Sequence, residues 1–151
     1  MTSFWRFLGL VWASPITFIG LVYAVTFRLL GWYVWTGVHG DALTFTLVAS
    51  SAPGWLQRAW QGWGGHCVGN VVVMSYDPVS YIGARILKHE QVHIRQCMKL
   101  GVFQPILYAI CFVTLKLGCA NISDQAYHQN VFEIDARIGS GQEKKPALKK
   151  S

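Results

Sequence analysis

The chemistry legible in this chain is concentrated in His89-Glu90-Gln91-Val92-His93. Histidines four apart lie one helical turn apart on the same face, so both imidazoles can reach a single tetrahedral zinc ion. The glutamate beside the first histidine then stands near the open coordination position. There it can take a proton from a zinc-bound water and pass it to a leaving group. Such a site needs a third protein ligand from another element. Glu133, 40 residues after His93, is the leading candidate, with Asp135 competing and His128 weaker. Small Ala136, one turn beyond Glu133, would let that segment approach closely. A plainer account stands beside this one. The histidines are hydrogen bonded on an ordinary helix, Glu90 pairs with Arg85 or Lys88, and Glu133 and Asp135 sit on a solvated face with Arg137.

These residues need elements to position them. Residues 80–100 read as a helix stopped by Gly101. At about 100° per residue, His89, His93 and Glu90 fall within about 100° of one another, on or beside an apolar arc containing Ile82, Ile86 and Cys97. Arg85, Lys88, Arg95 and Lys99 form a basic stripe elsewhere on the same helix. A glutamate on an apolar arc is expensive unless paired or protonated, and desolvation moves its pKa up toward that of a useful base. Residues 70–75, with three consecutive valines, read as a strand ended by Tyr76-Asp77-Pro78. An edge strand there, beside a zinc ion, can hold an extended peptide through its backbone. His66, just before it, is either a further polar group in the cleft or a loop histidine without a role. The uncharged run 102–115, containing Pro105, is short for a membrane span and fits a core or re-entrant helix. A last helix spans about 125–138, capped by Ser123 or Asp124.

Upstream, residues 7–27 carry no charge and are bounded by Arg6 and Arg28. That length crosses a hydrocarbon core of about 30 Å. An uncleaved membrane anchor, a cleaved signal peptide ending near Val22-Tyr23-Ala24, and a buried helix pair in a soluble fold are the three readings of this segment. Residues 29–38 continue it as helix or interfacial segment, 41–52 are mixed, and 55–63 suggest a short amphipathic helix rich in tryptophan. The segments therefore divide into a membrane-anchor region (1–38), a Trp/Gly-rich connector (39–64), a core carrying the chemistry (65–138) and a disordered basic tail (139–151).

Composition narrows the function classes. Of 151 residues, 52% are hydrophobic and only 13% charged, against a usual charged share of about 25%. Whole-chain disorder is excluded, and membrane association is favoured. The net charge of +6 comes largely from Lys144, Lys145, Lys149 and Lys150 in the tail, so no broad nucleic-acid face is implied. The four cysteines form no C-x-x-C pair. No phosphate-binding loop, G-x-S-x-G elbow or nucleic-acid motif is present, which argues against kinases, serine hydrolases and nucleic-acid binders.

His89-Glu90-x-x-His93 followed by Asn130-x-Phe132-Glu133-x-x-Ala136 resembles the gluzincin pattern of zinc metallopeptidases. More narrowly, with Gly101, Pro105 and Tyr108 between the two motifs, it resembles small gluzincin-like (H-E-x-x-H) zinc metallopeptidase-like membrane proteins of bacteria and phages. The resemblance covers residues 65–138. It implies a minimal zincin-like core of strand, motif helix and glutamate helix, with Zn2+ held by His89, His93 and Glu133, Glu90 as general base, and a peptide or protein substrate. Val131 stands where proline is expected, and Tyr127 or His128 would have to serve at the oxyanion. The expected fold is mainly α with a small β element (α+β), behind an N-terminal membrane helix. The expected protein is a metallopeptidase in contact with membrane lipid at the bacterial inner (cytoplasmic) membrane. Its alternatives are a non-catalytic membrane protein with a structural or vestigial metal site, and a small membrane interaction protein in which the motif is accidental.

Overall fold

The computed structural model describes residues 3–60, 64–118 and 127–143. Helix α1 (Ser3–Leu29) leads into β1 (Tyr33–His39) and β2 (Ala42–Leu47), then a short α2 (Gly54–Trp60). β3 (Gly65–Val68) and β4 (Val71–Met74) follow, then α3 (Tyr81–Leu100), α4 (Phe103–Gly118) and α5 (Val131–Gly139). The chain is thus mostly helical around a small mixed sheet, as its sequence predicts.

The strands lie in the order β1-β2-β4-β3. β1 and β2 form an antiparallel hairpin, β2 runs parallel to β4 with Leu43 opposite Val71, and β3 returns antiparallel to β4. Every residue of β4 is buried, because a strand flanked on both sides and covered on both faces has no solvent side. Val72 and Met74 pack with Leu87, Ile94, Cys97 and Met98 of α3. Val71 and Val73 point the other way, into Tyr33, Phe45, Leu56 and Trp60. Each such buried aliphatic side chain contributes about 1.5–3 kcal/mol of burial energy.

α1 runs past the end of the sheet and belongs to both clusters, through Ala13 on one side and Ala24 on the other. Its buried residues are Gly9, Ala13, Gly20 and Ala24, a face of small side chains that lets backbones meet. A Cβ on Gly20 would stand 2.4 Å from the Val68 carbonyl oxygen. The β3–β4 turn needs glycine at 69 twice over. Its φ is +63°, and a side chain there would strike Thr17. Thr17 also accepts the Asn70 N–H at 3.1 Å.

Several expectations are corrected. Residues 29–38 do not continue the helix; most of them form β1. The strand expected at 70–75 is β4, but it lies inside the sheet, and β3 is the outer strand on that side. Residues 127–129 are helical, but the expected last helix is broken at Asn130, and α5 itself starts at Val131. Its cap is Asn130, whose side chain accepts the Phe132 N–H at 3.0 Å. Ser123 and Asp124, the expected caps, lie outside the described residues, as do 61–63 of the tryptophan segment and 144–151 of the tail. β1 and β2 pair in one sheet with β4.

Candidate metal centre

α3 is set at both ends by local chemistry. The Ser80 hydroxyl accepts the Gly83 N–H at 3.0 Å, and at the other end the Gly101 N–H closes on the Cys97 carbonyl. In between, His89 and His93 sit one turn apart and both face α5. α5 comes close because Ala136 is fully buried and Gly139 lies where a Cβ would touch Val92 at 3.0 Å. That approach delivers Glu133 to the histidines.

The three residues are 9%, 7% and 3% exposed. His89 Nε2 lies 3.1 Å from His93 Nε2 and 3.2 Å from Glu133 Oε2, and His93 Nε2 lies 3.4 Å from Glu133 Oε1. A tetrahedral ion with bonds of about 2.0–2.1 Å has ligand–ligand edges of about 3.3–3.4 Å. The contacts to Glu133 are made by two different carboxylate oxygens, but one donor atom from each of the three residues lies within 4.8 Å of the other two, close enough to share a cation, and the donor set suits zinc.

Proton accounting points the same way. Gln96 Nε2 donates to the Phe132 carbonyl at 3.1 Å and to Asp135 Oδ2 at 2.8 Å. Its Oε1 therefore faces His93 Nδ1, 2.9 Å away, and must accept a proton from it. That leaves His93 Nε2 with its lone pair directed at His89 and Glu133. Two imidazole nitrogens 3.1 Å apart cannot face each other with lone pairs alone; a shared hydrogen, or a metal ion that takes both lone pairs, must stand between them. In the protein without metal, burial opposes charge on His93, but hydrogen bonding to Glu133 and the charges of Glu90 and Glu133 outweigh it, and its pKa is raised. Burial also acts to raise the pKa of Glu133, yet hydrogen bonds from His89 and His93 hold it far below the usual carboxylate range.

Glu90 stands outside the triad, 5% exposed. Desolvation raises its pKa, partly offset by His93 and His89. The Cys67 thiol, held protonated by burial and by the charge of Glu90, bonds the Glu90 carboxylate from β3. Gly65 of the same strand passes close enough that a Cβ there would be 3.5 Å from Glu90 Oε1. Glu90 makes no ion pair with Arg85 or Lys88 among the described residues.

The competing candidates go elsewhere. Asp135 bonds Gln96, His128 is exposed, and Arg137 pairs with Glu143 at 2.6 Å rather than with Glu133. His66 lies between the rings of Trp60 and Tyr23. Three contributors escape a reading of the sequence. Gln96 orients His93, Cys67 bonds Glu90, and the Tyr108 hydroxyl donates to Glu133 Oε1 at 2.9 Å. Gln96 was visible as the residue one turn beyond His93 on the same face. Tyr127, considered for an oxyanion, instead hydrogen bonds Glu133 as well. Comparison with known protein families, with curated proteins and with solved structures finds no match to this chain.

Proposed function

We propose that this chain is a membrane-associated, zinc-dependent peptide hydrolase. The observation that carries the reading is the buried His89–His93–Glu133 triad, whose donor atoms lie within 4.8 Å of one another, with a second carboxylate, Glu90, held beside it. A Zn2+ ion bound there supplies Lewis acidity to a water molecule and to the scissile carbonyl. The rest is the work of the chain. Glu90, poised by desolvation to bind a proton more readily than an exposed carboxylate, takes a proton from the attacking water and returns it to the leaving nitrogen. Gln96 fixes the tautomer of His93, and Tyr108 with Tyr127 fixes Glu133. β3, the outer strand beside Glu90, offers a backbone edge along which an extended peptide can lie. α1 provides the membrane contact as a retained anchor, a reading supported by the packing of its small-residue face into both core clusters.

The test begins with metal content of detergent-purified protein never exposed to chelator. About one zinc per chain is expected in wild type, and its loss in His93→Ala and in Glu133→Ala. Glu90→Gln is expected to keep the metal and lower peptide hydrolysis by roughly 10²–10⁴-fold. Zinc retained in Glu133→Ala, or activity retained in Glu90→Gln, overturns the assignment. The depth of the triad favours a second reading, a structural ion in a closed site. Under it, Glu90→Gln changes no activity, because there is none, while His93→Ala lowers stability.

A further inference from the structure

The outward surface of α4 is unlike that of a water-soluble helix. Phe103, Ile106, Leu107, Ile110, Val113 and Leu117 are each more than two-fifths exposed and fall within an arc of about 120°. The polar residue in that arc, Thr114, turns its hydroxyl onto the carbonyls of Ile110 and Cys111. α1 repeats the pattern. Its outer side chains include exposed Phe4, Phe7, Val11, Phe18, Ile19 and Val22, and its exposed hydroxyls, Ser14 and Thr26, bond the carbonyls of Val11 and Val22 at 2.7 Å. Hydroxyls satisfied by their own helix suit a solvent that offers no hydrogen bonds. The two surfaces meet where the Trp12 and Phe103 rings touch, 6.4 Å between centroids. Arg28 in the last turn of α1 and Lys116 in the last turn of α4 place cations at their borders, where anionic headgroups lie, while Arg6 pairs with Asp41.

How these helices meet the bilayer follows from what covers their inner faces. α1, 27 residues long, measures about 40 Å, so a span would put all but its ends within a core of about 30 Å. Its inner face is occupied along that length. Gly9 meets Met98 of α3, Thr17 and Gly20 meet the β3–β4 turn, and Tyr23 bonds Tyr33 of β1. A span would carry these neighbours into hydrocarbon. α3 exposes Arg85, Lys88, Arg95 and Lys99, each costing about 2.5–3.5 kcal/mol at mid-membrane. The sheet ends in outer strands β1 and β3, and open sheet edges do not occur in lipid.

We infer that α1 and α4 seat the protein in one leaflet of the bilayer without crossing it, their shared apolar surface in the acyl region and the sheet in water. The inference rests on the reading of α1 as a membrane element and fixes its geometry. Tyr108, on the opposite side of α4 from Ile110, bonds Glu133, so the triad lies one helix diameter, about 10 Å, from the lipid.

The test uses the full chain with Cys67, Cys97, Cys111 and Cys119 replaced by alanine, in sealed membrane vesicles from producing bacteria, and a membrane-impermeant maleimide. Ser3→Cys reports one end of α1. Ser50→Cys reports the other, beside Ser51, whose hydroxyl bonds the Gly31 carbonyl. Both are expected to react to the same extent from the same side. Phe18→Cys and Ile110→Cys are expected to react at least tenfold more slowly than Lys88→Cys. If one end of α1 reacts only after the vesicles are permeabilised, the helix spans and the inference falls. If Ile110→Cys reacts as fast as Lys88→Cys while Phe18→Cys stays protected, α4 is in water and the inference falls, with the reading of α1 intact. Rapid reaction at both positions defeats that reading too. Protection of Ile110→Cys that vanishes when the membranes are fused with excess lipid marks a second copy of the chain as the cover, and overturns it. The native chain gives an independent check through its tryptophans, Trp5 and Trp12 among them. Lipids brominated near the headgroup should quench their fluorescence at least twofold more than lipids brominated at the chain ends, and the reverse order refutes a shallow seat.

Discussion

Replacing Gln96 by methionine tests whether the metal centre depends on a residue that touches no metal. The substitution keeps length and volume but removes both polar ends of the side chain. Gln96 makes three hydrogen bonds of 2.8–3.1 Å, to His93 Nδ1, to the Phe132 carbonyl and to Asp135. Asp135 is exposed and recovers water. His93 Nδ1 sits on a side chain only 8% exposed and is left with a stranded donor, which costs about 1–3 kcal/mol of stability. The imidazole also loses what fixes its tautomer, and losses of this kind lower metal affinity by about 10–100-fold, or about 1.4–2.8 kcal/mol. Competition against a chelator of known zinc affinity reads the second effect, and thermal unfolding of metal-free protein reads the first. Gln96→Glu separates them. It keeps an acceptor for His93 Nδ1 and should bind zinc within about threefold of wild type. It gives up the bonds to Phe132 and Asp135 and places like charges together, so it remains destabilised. If Gln96→Met binds zinc within twofold of wild type, the proton accounting at His93 is mistaken.

Three further outcomes follow from the geometry. Tyr108→Phe removes a bond to a buried carboxylate and should lower the unfolding free energy of metal-free protein by about 1.5–3 kcal/mol in denaturant titration; no change would mean that the tyrosine does not hold Glu133. Gly20→Ala drives a methyl group against the Val68 carbonyl and should cost about 1–3 kcal/mol or more, seen as a lower thermal midpoint; an unchanged midpoint would separate α1 from the fold. Burial lowers the His66 pKa to about 4, so between roughly pH 6.5 and 4 the unfolded chain takes up a proton that the folded chain refuses. This contribution is complete above about pH 6.5 and is lost as the pH falls toward 4, about 3 kcal/mol in all. His66→Phe should flatten the acid side of the stability curve, and a curve of unchanged slope would refute the assignment.

The site was more legible than the sheet. His89, Glu90 and His93 declare themselves by spacing, and Glu133 by its place on a helix with a small residue one turn on. β1 was hidden because apolar residues resume directly after Arg28 and run on into Trp32, Tyr33 and Val34. The break between α1 and β1 is Gly31, whose φ of +77° ends the helix and turns the chain. The interior position of β4 was readable in its three adjacent valines, since a strand with one wet face alternates and a strand covered on both does not. Ser123, Asp124 and Asn130 are all residue types that cap helices, so only contact geometry assigns Asn130 to α5. The roles of Cys67 and Tyr108 depend on contacts between elements far apart in the chain, which spacing does not encode; that of Gln96 is partly local, since it lies one turn beyond His93.

The narrow face of α1 sets a timetable for synthesis. Gly20 finds its neighbours only when Val68 and Val71 have been made, and Gly9 waits for Met98. At about 5–20 residues per second, the completed helix exists for roughly 2–14 s with its small-residue face unclaimed. During those seconds it is an apolar rod beside a ribosome, prone to wrong partners. A lipid surface that receives its broad aromatic side at once, and leaves the narrow side free for residues still to come, would make the membrane a scaffold for assembly as well as the place of work.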